Sequence, residues 1–196
     1  MGQGSQSAIC ADGNDRRTKL LHAAERCFVE SGFHGARMAQ IARAAKMSPG
    51  LIYHYFESKE QMIAEIIRAH VEEKLAAFER HQAEAQGTSG VVNGLAEGIA
   101  STTDPFWSSL TLEITAEATR NDAVACIIRE AEATLHENFK AVLLKDGHIP
   151  DLDNRVEVFV ALIQGLGIRA IRNPDLDRDA ILPLVRRITE DLFRPE

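Results

Sequence analysis

The 196-residue chain has few aromatic residues and few cysteines: Phe, Trp and Tyr make up 6%, with one tryptophan and two tyrosines, and there are three Cys. Cys10, Cys27 and Cys126 are odd in number, far apart and free of any C-x-x-C pair, which excludes a disulfide framework and a zinc knuckle. A reducing cytoplasm is the expected compartment. No stretch approaches the ~18 consecutive apolar residues of a membrane span, and the N-terminus lacks the basic start and apolar run of a signal peptide. No membrane partner is expected, and residues 1–15 read as a disordered leader. There is no nucleophile motif, phosphate loop or dinucleotide fingerprint. The seven histidines, His22, His34, His54, His70, His81, His136 and His148, nowhere form an i, i+4 metal pair with a carboxylate nearby. An enzyme, a metal and a cofactor are therefore not expected.

What is present is an ordinary core-forming composition, 45% hydrophobic and 26% charged, with a polarised charge. The net charge of −7 speaks against a general nucleic-acid binder. Its distribution reverses that reading. Between Arg16 and Lys59 stand eight Lys or Arg (Arg16, Arg17, Lys19, Arg26, Arg37, Arg43, Lys46, Lys59) against Glu25, Glu30 and Glu57, a net of +5. With Asp12 and Asp15 ahead of them, residues 60–196 are left with −10. A basic head on an acidic body assigns phosphate contact to the head alone.

Helical periodicity runs through the chain. Leu20, Leu21, Ala24, Cys27 and Phe28 recur at the spacing of an amphipathic helix that Gly32 can stop. A second helix covers Met38 to Ala45, and a third, short one starts with Ser48 as N-cap and Pro49 at its first position, where the missing amide costs nothing. Ser58 and Gln61 form a capping box for a long helix carrying Met62, Ile63, Ile66, Ile67, Val71 and Leu75. After a turn at Gln86–Gly90, helices are predicted over Val91–Thr102, Pro105–Arg120, Val124–Lys145, Leu152–Arg172 and Asp179–Phe193. Without alternating β patterns or repeats, the fold class is all-α.

Two short helices joined by a tight turn, the second two turns long and ending in aromatic residues, suit helix-turn-helix reading of a major groove. Burial of Ile52 and Phe56 turns Gly50, Leu51 and His54 outward and sends Tyr53 and Tyr55 to the flanks. Gly50 lets backbone approach base edges, Leu51 can meet a thymine methyl, and His54 can donate to a base or phosphate. Tyr53, Tyr55 and Lys59 are placed for phosphates. Arg43 and Lys46 fit either a phosphate contact or a solvated face, Gln40 is a further candidate, and the tyrosines also fit a plain aromatic core.

These residues resemble the TetR family of transcription regulators. The shared signals are Gly32-Phe33 closing the first helix, Ile41-Ala42 in the second, Ser48-x-Gly50, Tyr53-x-Tyr55-Phe56, and Lys59-Glu60 opening the fourth. The match runs from about Arg16 to Ile67. It implies an all-α dimer with an N-terminal three-helix DNA-binding domain at residues 16–62 and a larger helical domain at 63–196 for effector binding and dimerisation. Ser48 and Pro49 join the candidate DNA-binding set on this basis. There are two departures. Ala36-Arg37 stands where the family has a capping Ser or Thr, which frees Arg37 for phosphate or base, and Lys46 replaces the usual turn Gly at a cost of roughly 1–2 kcal/mol if the position is left-handed.

In the C-terminal part, Val156–Ile171 is apolar on more than one face, and Gly165 and Gly167 permit close approach by another helix. The predicted homodimer interface is Phe159, Ile163, Leu166, Ile181, Leu184, Val185 and Ile188, which agrees with the four-helix dimer bundle implied by the resemblance. Glu113 and Glu117 share a stripe with Phe106, Leu110 and Ile114. Two readings stand: neutralisation by Arg120 or Arg129, or a pocket in which Glu113 and Glu117, with Trp107 and Phe139 as aromatic walls, bind a cationic effector. The expected function is a ligand-responsive repressor released from palindromic double-stranded operator DNA by a small molecule. The rival is a DNA-bound dimeric scaffold that binds a protein partner and no inducer.

Overall fold

The computed structural model describes residues 4–195, with side chains from Asp15 onward. Among these the chain is all-helical: α1 (Gly4–Gly35), α2 (Met38–Ala44), a 3-10 turn (Leu51–His54), α3 (Lys59–Glu84), α4 (Gly87–Thr102), α5 (Pro105–Ala118), α6 (Asp122–Leu143), a second 3-10 turn (Leu144–Asp146), α7 (Leu152–Arg172) and α8 (Arg178–Leu192). No described helix is long and apolar enough to cross a membrane. Of the expected leader, residues 1–3 lie outside the described residues. From Gly4 its backbone is helical, a correction consistent with the low cost of lengthening a helix that has already nucleated. Gly32, at φ 69°, breaks the helical path near its end, as its position suggested.

The chain divides into two units. The first reaches to Ile67 and includes Glu113–Ile127; the second comprises Arg68–Leu112 and Ile128–Glu196. Residues 113–127 thus leave the domain that sequence assigned to them, because they are bonded into the first unit. Glu117 lies 3.1 Å from His34 and Asn121 donates to Glu60 at 3.3 Å.

The first unit is built on Leu20, Ala24, Phe28, Phe33, Ile41, Ile52, Phe56, Met62 and Ile63, all buried. α3 opens on the predicted capping box. The Gln61 amide donates to Ser58 Oγ at 3.3 Å, and Gln61 Oε1 accepts from the Glu57 amide at 2.7 Å. The second unit has an aromatic core of Phe139, Phe159, Phe193 and Phe78, and an aliphatic one in which Val92, Leu95 and Ile99 of α4 meet Val185 of α8. α4 starts four residues earlier than predicted. Its first turn is held by Asp146, which accepts from the Thr88 amide at 2.6 Å, and Gly87 is left-handed at φ 58° in a place where a Cβ would overlap that carboxylate.

Candidate functional site

α2 begins without a side-chain cap, as expected from Ala36-Arg37, and ends in a Schellman motif. The Lys46 amide donates to Arg43 O at 2.9 Å and the Met47 amide to Ala42 O at 2.8 Å. Lys46 occupies the left-handed C′ position at φ 58°, where glycine is usual because a Cβ is strained there. Backbone strain is kept in the middle of the helix-turn-helix, with the Lys46 side chain exposed.

The third predicted helix is a tighter object. The Leu51 amide bonds Ser48 O at 3.0 Å, the 3-10 turn follows, and the Tyr55 and Phe56 amides both converge on Ile52 O at 3.0 and 2.9 Å. Ser48 supplies a backbone turn and no described side-chain cap. In so short a segment i→i+3 bonding suffices, and it eclipses residues three apart. Tyr55 is half-buried, as is Leu51, while Gly50, His54 and Tyr53 stand exposed, Tyr53 at 60%. A Cβ at Gly50 would meet nothing within 4 Å. Arg37, Arg43, Ser48 and Pro49 are exposed and Gln40 is half-buried.

Two cations of the basic head are spent internally. Lys59 Nζ bonds Phe33 O and sits 4.2 Å from the Phe33 ring centroid, and desolvation pulls its ammonium below the usual range. The phosphate role expected of Lys59 is corrected: it fastens the start of α3 to the corner after α1. Arg17 pairs with Glu65, donates to Tyr55 O at 2.9 Å and lies 4.5 Å from the Phe56 ring centroid. Sequence counted it as part of the basic face; only the facing Glu65, 48 residues away, shows otherwise.

The residues expected to hold an effector fare differently. Glu117 is 1% exposed and already met by Arg120 at 2.9 Å, His34 at 3.1 Å and Asn121 at 3.1 Å. Phe139 lies inside the aromatic core, 5.1 Å from Phe159. Both are corrected: a satisfied carboxylate and a ring surrounded by its own core have no face to offer. Glu113 is half-buried beside Gly32. Trp107 stacks on His70 at 3.8 Å between centroids. None of the four lines a cleft of about 850 Å³ in the second unit, which lies between the end of α4 and the α7–α8 turn with Thr103, Asn173 and Asp177 on its walls. Among the described residues no group of three metal-ligating side chains occurs.

The predicted dimer residues also divide. Val185 is 2% exposed and Phe159 belongs to the aromatic core, so both are corrected to internal packing, and Ile163, Leu166 and Ile181 pack against the aliphatic core. Leu184 and Ile188 stand free at 56% and 45%, joined by Val158, Ile168 and Ile171, which the predicted interface omitted. A Cβ at Gly165 would meet open space, whereas one at Gly167 would meet Thr102 O at 2.9 Å. Of the two glycines, Gly165 alone leaves room for another helix.

Fold and site define a helix-turn-helix protein of the two-unit helical kind. Residues 20–66 match the family model described as bacterial regulatory proteins, tetR family, and residues 99–194 that of the BetI-type transcriptional repressor C-terminal region. The HTH-type transcriptional regulator UidR of Escherichia coli K12 is 35% identical over 174 residues, 84% of this chain and 85% of that protein. The HTH-type transcriptional regulator BetI of Rhizobium meliloti is 30% identical over 160 residues, 79% and 77% of the two chains. The solved structure of Salmonella enterica GusR superposes with a TM-score of 0.77 at 30% identity, over 92% of this chain and 96% of that one. The chain belongs to the TetR family and is a ligand-responsive, DNA-binding transcription regulator. Members of the family bind operator DNA, dimerise and take small-molecule effectors.

Proposed function

We propose that the protein is a cytoplasmic repressor that sits as a homodimer on a near-palindromic operator and leaves it when a small molecule binds the second unit. The observation that carries this reading is the exposed row Arg37, Arg43, Lys46, Gly50, Tyr53 and His54, mounted on buried Ile41, Ile52 and Phe56. In it Arg37, Arg43, Lys46 and Tyr53 hold phosphates, and Gly50, Leu51, His54 and Gln40 face base edges. Ser48 and Pro49 set the entry turn, and Tyr55 braces it from the half-buried side. The exposed stripe around Leu184, Ile188, Ile168 and Gly165 supports pairing of α7 and α8 across a two-fold axis, with the reading heads about 34 Å or somewhat more apart. The cationic effector expected from Glu113 and Glu117 has lost its support, because the Glu117 charge is met within the chain.

The test is fluorescence anisotropy with DNA from the region upstream of the protein's own coding sequence, beside a scrambled duplex. Saturation at one dimer or a pair of dimers per site, with scrambled DNA bound about 1,000-fold more weakly, is expected. Equal affinity for both duplexes overturns the reading.

A further inference from the structure

Glu117 stands near the end of α5, 1% exposed, and both of its oxygens are taken. Oε2 accepts from Arg120 at 2.9 Å and lies 3.1 Å from His34 Nε2, and Oε1 accepts from Asn121 Nδ2 at 3.1 Å. Arg120 also reaches His34, at 3.0 Å, and the same Asn121 amide donates to Glu60, in the first turn of α3, at 3.3 Å. One turn earlier on α5, Glu113 comes within 3.4 Å of the place a Cβ on Gly32 would take. Lys59 of α3 bonds Phe33 O, next to His34 in the chain. The corner after α1 and the opening of α3 are therefore one piece, and Glu117 holds that piece from α5.

The helices on either side of the Glu117 turn do not end with the first unit. α5 begins at Pro105 and α6 runs to Leu143, whereas the first unit takes only Glu113–Ile127 of them. Packed helices are stiff elements through which position is passed on. An exposed ion pair would be a weak fastening. A carboxylate withdrawn from water keeps charge-assisted bonds that are directional and little screened by salt. We propose that Glu117 is a positioning residue for operator recognition: it locks the helix-turn-helix onto α5 and α6, and so restricts a dimer to one half-site spacing. The inference rests on the reading of a homodimer on a near-palindromic operator.

A base pair inserted at the centre of a palindrome moves one half-site by about 3.4 Å and turns it by about 35°. A locked head cannot follow that change, and a released one can. Operators are selected from random-sequence duplexes with the parent chain, and the best is remade with one base pair added or removed at its centre. Anisotropy titrations compare the duplexes on the parent, on Glu117→Gln and on His34→Ala, with circular dichroism and thermal unfolding as checks of fold. Glu117→Gln keeps an acceptor for Asn121 but turns an amide toward Arg120 and His34. His34→Ala breaks the same tie from a side chain that is 68% exposed, so the test stands even where the first variant does not fold. Altered spacing is expected to cost the parent at least about tenfold in affinity and the variants at most about threefold. A merely structural Glu117 would instead lower the melting temperature and weaken all duplexes together, leaving the spacing ratio within about twofold of the parent's; that result overturns the proposal. So does a parent that binds every spacing within about threefold. Selection of lone half-sites by the parent defeats the palindromic-operator reading and the spacing claim with it. One spacing in the parent, kept by both variants, defeats the assignment to Glu117 alone.

Discussion

Lys46→Gly separates what the fold needs from what the DNA needs. Lys46 is the left-handed residue of the Schellman motif that ends α2, a conformation that costs a residue with a Cβ about 1–2 kcal/mol. Glycine removes that strain, and its greater freedom in the unfolded chain returns about 0.4–1 kcal/mol of the gain. The net expectation is a stabilisation of about 0.5–1 kcal/mol, or about 1–4 °C in the melting temperature of a chain this size. If the lysine is kept for a phosphate, the same change weakens DNA binding. Each lost contact flattens the slope of log affinity against log salt by about 0.9, and a dimer loses two. The assays are thermal unfolding at fixed protein concentration and operator anisotropy at several salt concentrations. A destabilised Lys46→Gly would refute the strain argument; an unchanged salt slope would refute the phosphate contact.

The remaining expectations use the same two assays. Tyr53→Phe should weaken binding to all duplexes alike, because it removes a phosphate donor, whereas Lys59→Ala should mainly lower stability, through the lost Phe33 contacts; a pure DNA-binding defect with unchanged melting in Lys59→Ala would contradict this. Leu184→Arg should give folded monomers by sedimentation, and Val185→Arg should fail to fold, since the first side chain is exposed and the second buried; the reverse pattern would overturn the assignment of the α8 faces. His70 is neutral when folded and has an ordinary value of 6.5 when unfolded, so the unfolded chain binds the extra proton and stability falls as pH drops from 6.5 toward 3. At pH 5 the penalty relative to pH 8 is about 1–2 kcal/mol, and His70→Gln should show a pH slope shallower by that amount in urea unfolding; parallel slopes would refute it.

What could be read in the sequence was short in range. The Ser58–Gln61 box, the ends of α7, the Gly32 break and the buried pair Ile52 and Phe56 follow from residues within a turn or two of each other, where periodicity and capping act. The misreadings have distant partners. α4 starts early because Asp146 caps it from 58 residues away, and Lys59 is withdrawn from phosphate by Phe33, 26 residues away. Periodicity says that Phe139 and Val185 are covered, not by what, so one was read as a pocket wall and the other as an interface.

The internal pairing of Arg17 and Lys59 also bears on how strongly the protein should respond to salt. Sequence places eight cations in the basic head, but Arg17 answers Glu65, Lys59 answers Phe33, and Lys19 reaches Asp15 at 2.5 Å on the exposed side of α1. On α2 and the turn after it, Arg37, Arg43 and Lys46 are exposed and have no side-chain partner among the described residues. Three phosphates neutralised per subunit, six per dimer, give a slope of about −5 in log affinity against log salt, where eight per subunit would give about −14. Neutral donors such as Tyr53 would then supply much of the backbone grip without releasing counter-ions. A measured slope near −5, reduced by about 2 in Lys46→Gly, agrees with this count. A slope steeper than about −8 would mean that Arg16, Lys19 or Arg26 of α1 also reach the duplex, and that the helix-turn-helix is not the whole of the electrostatic footprint.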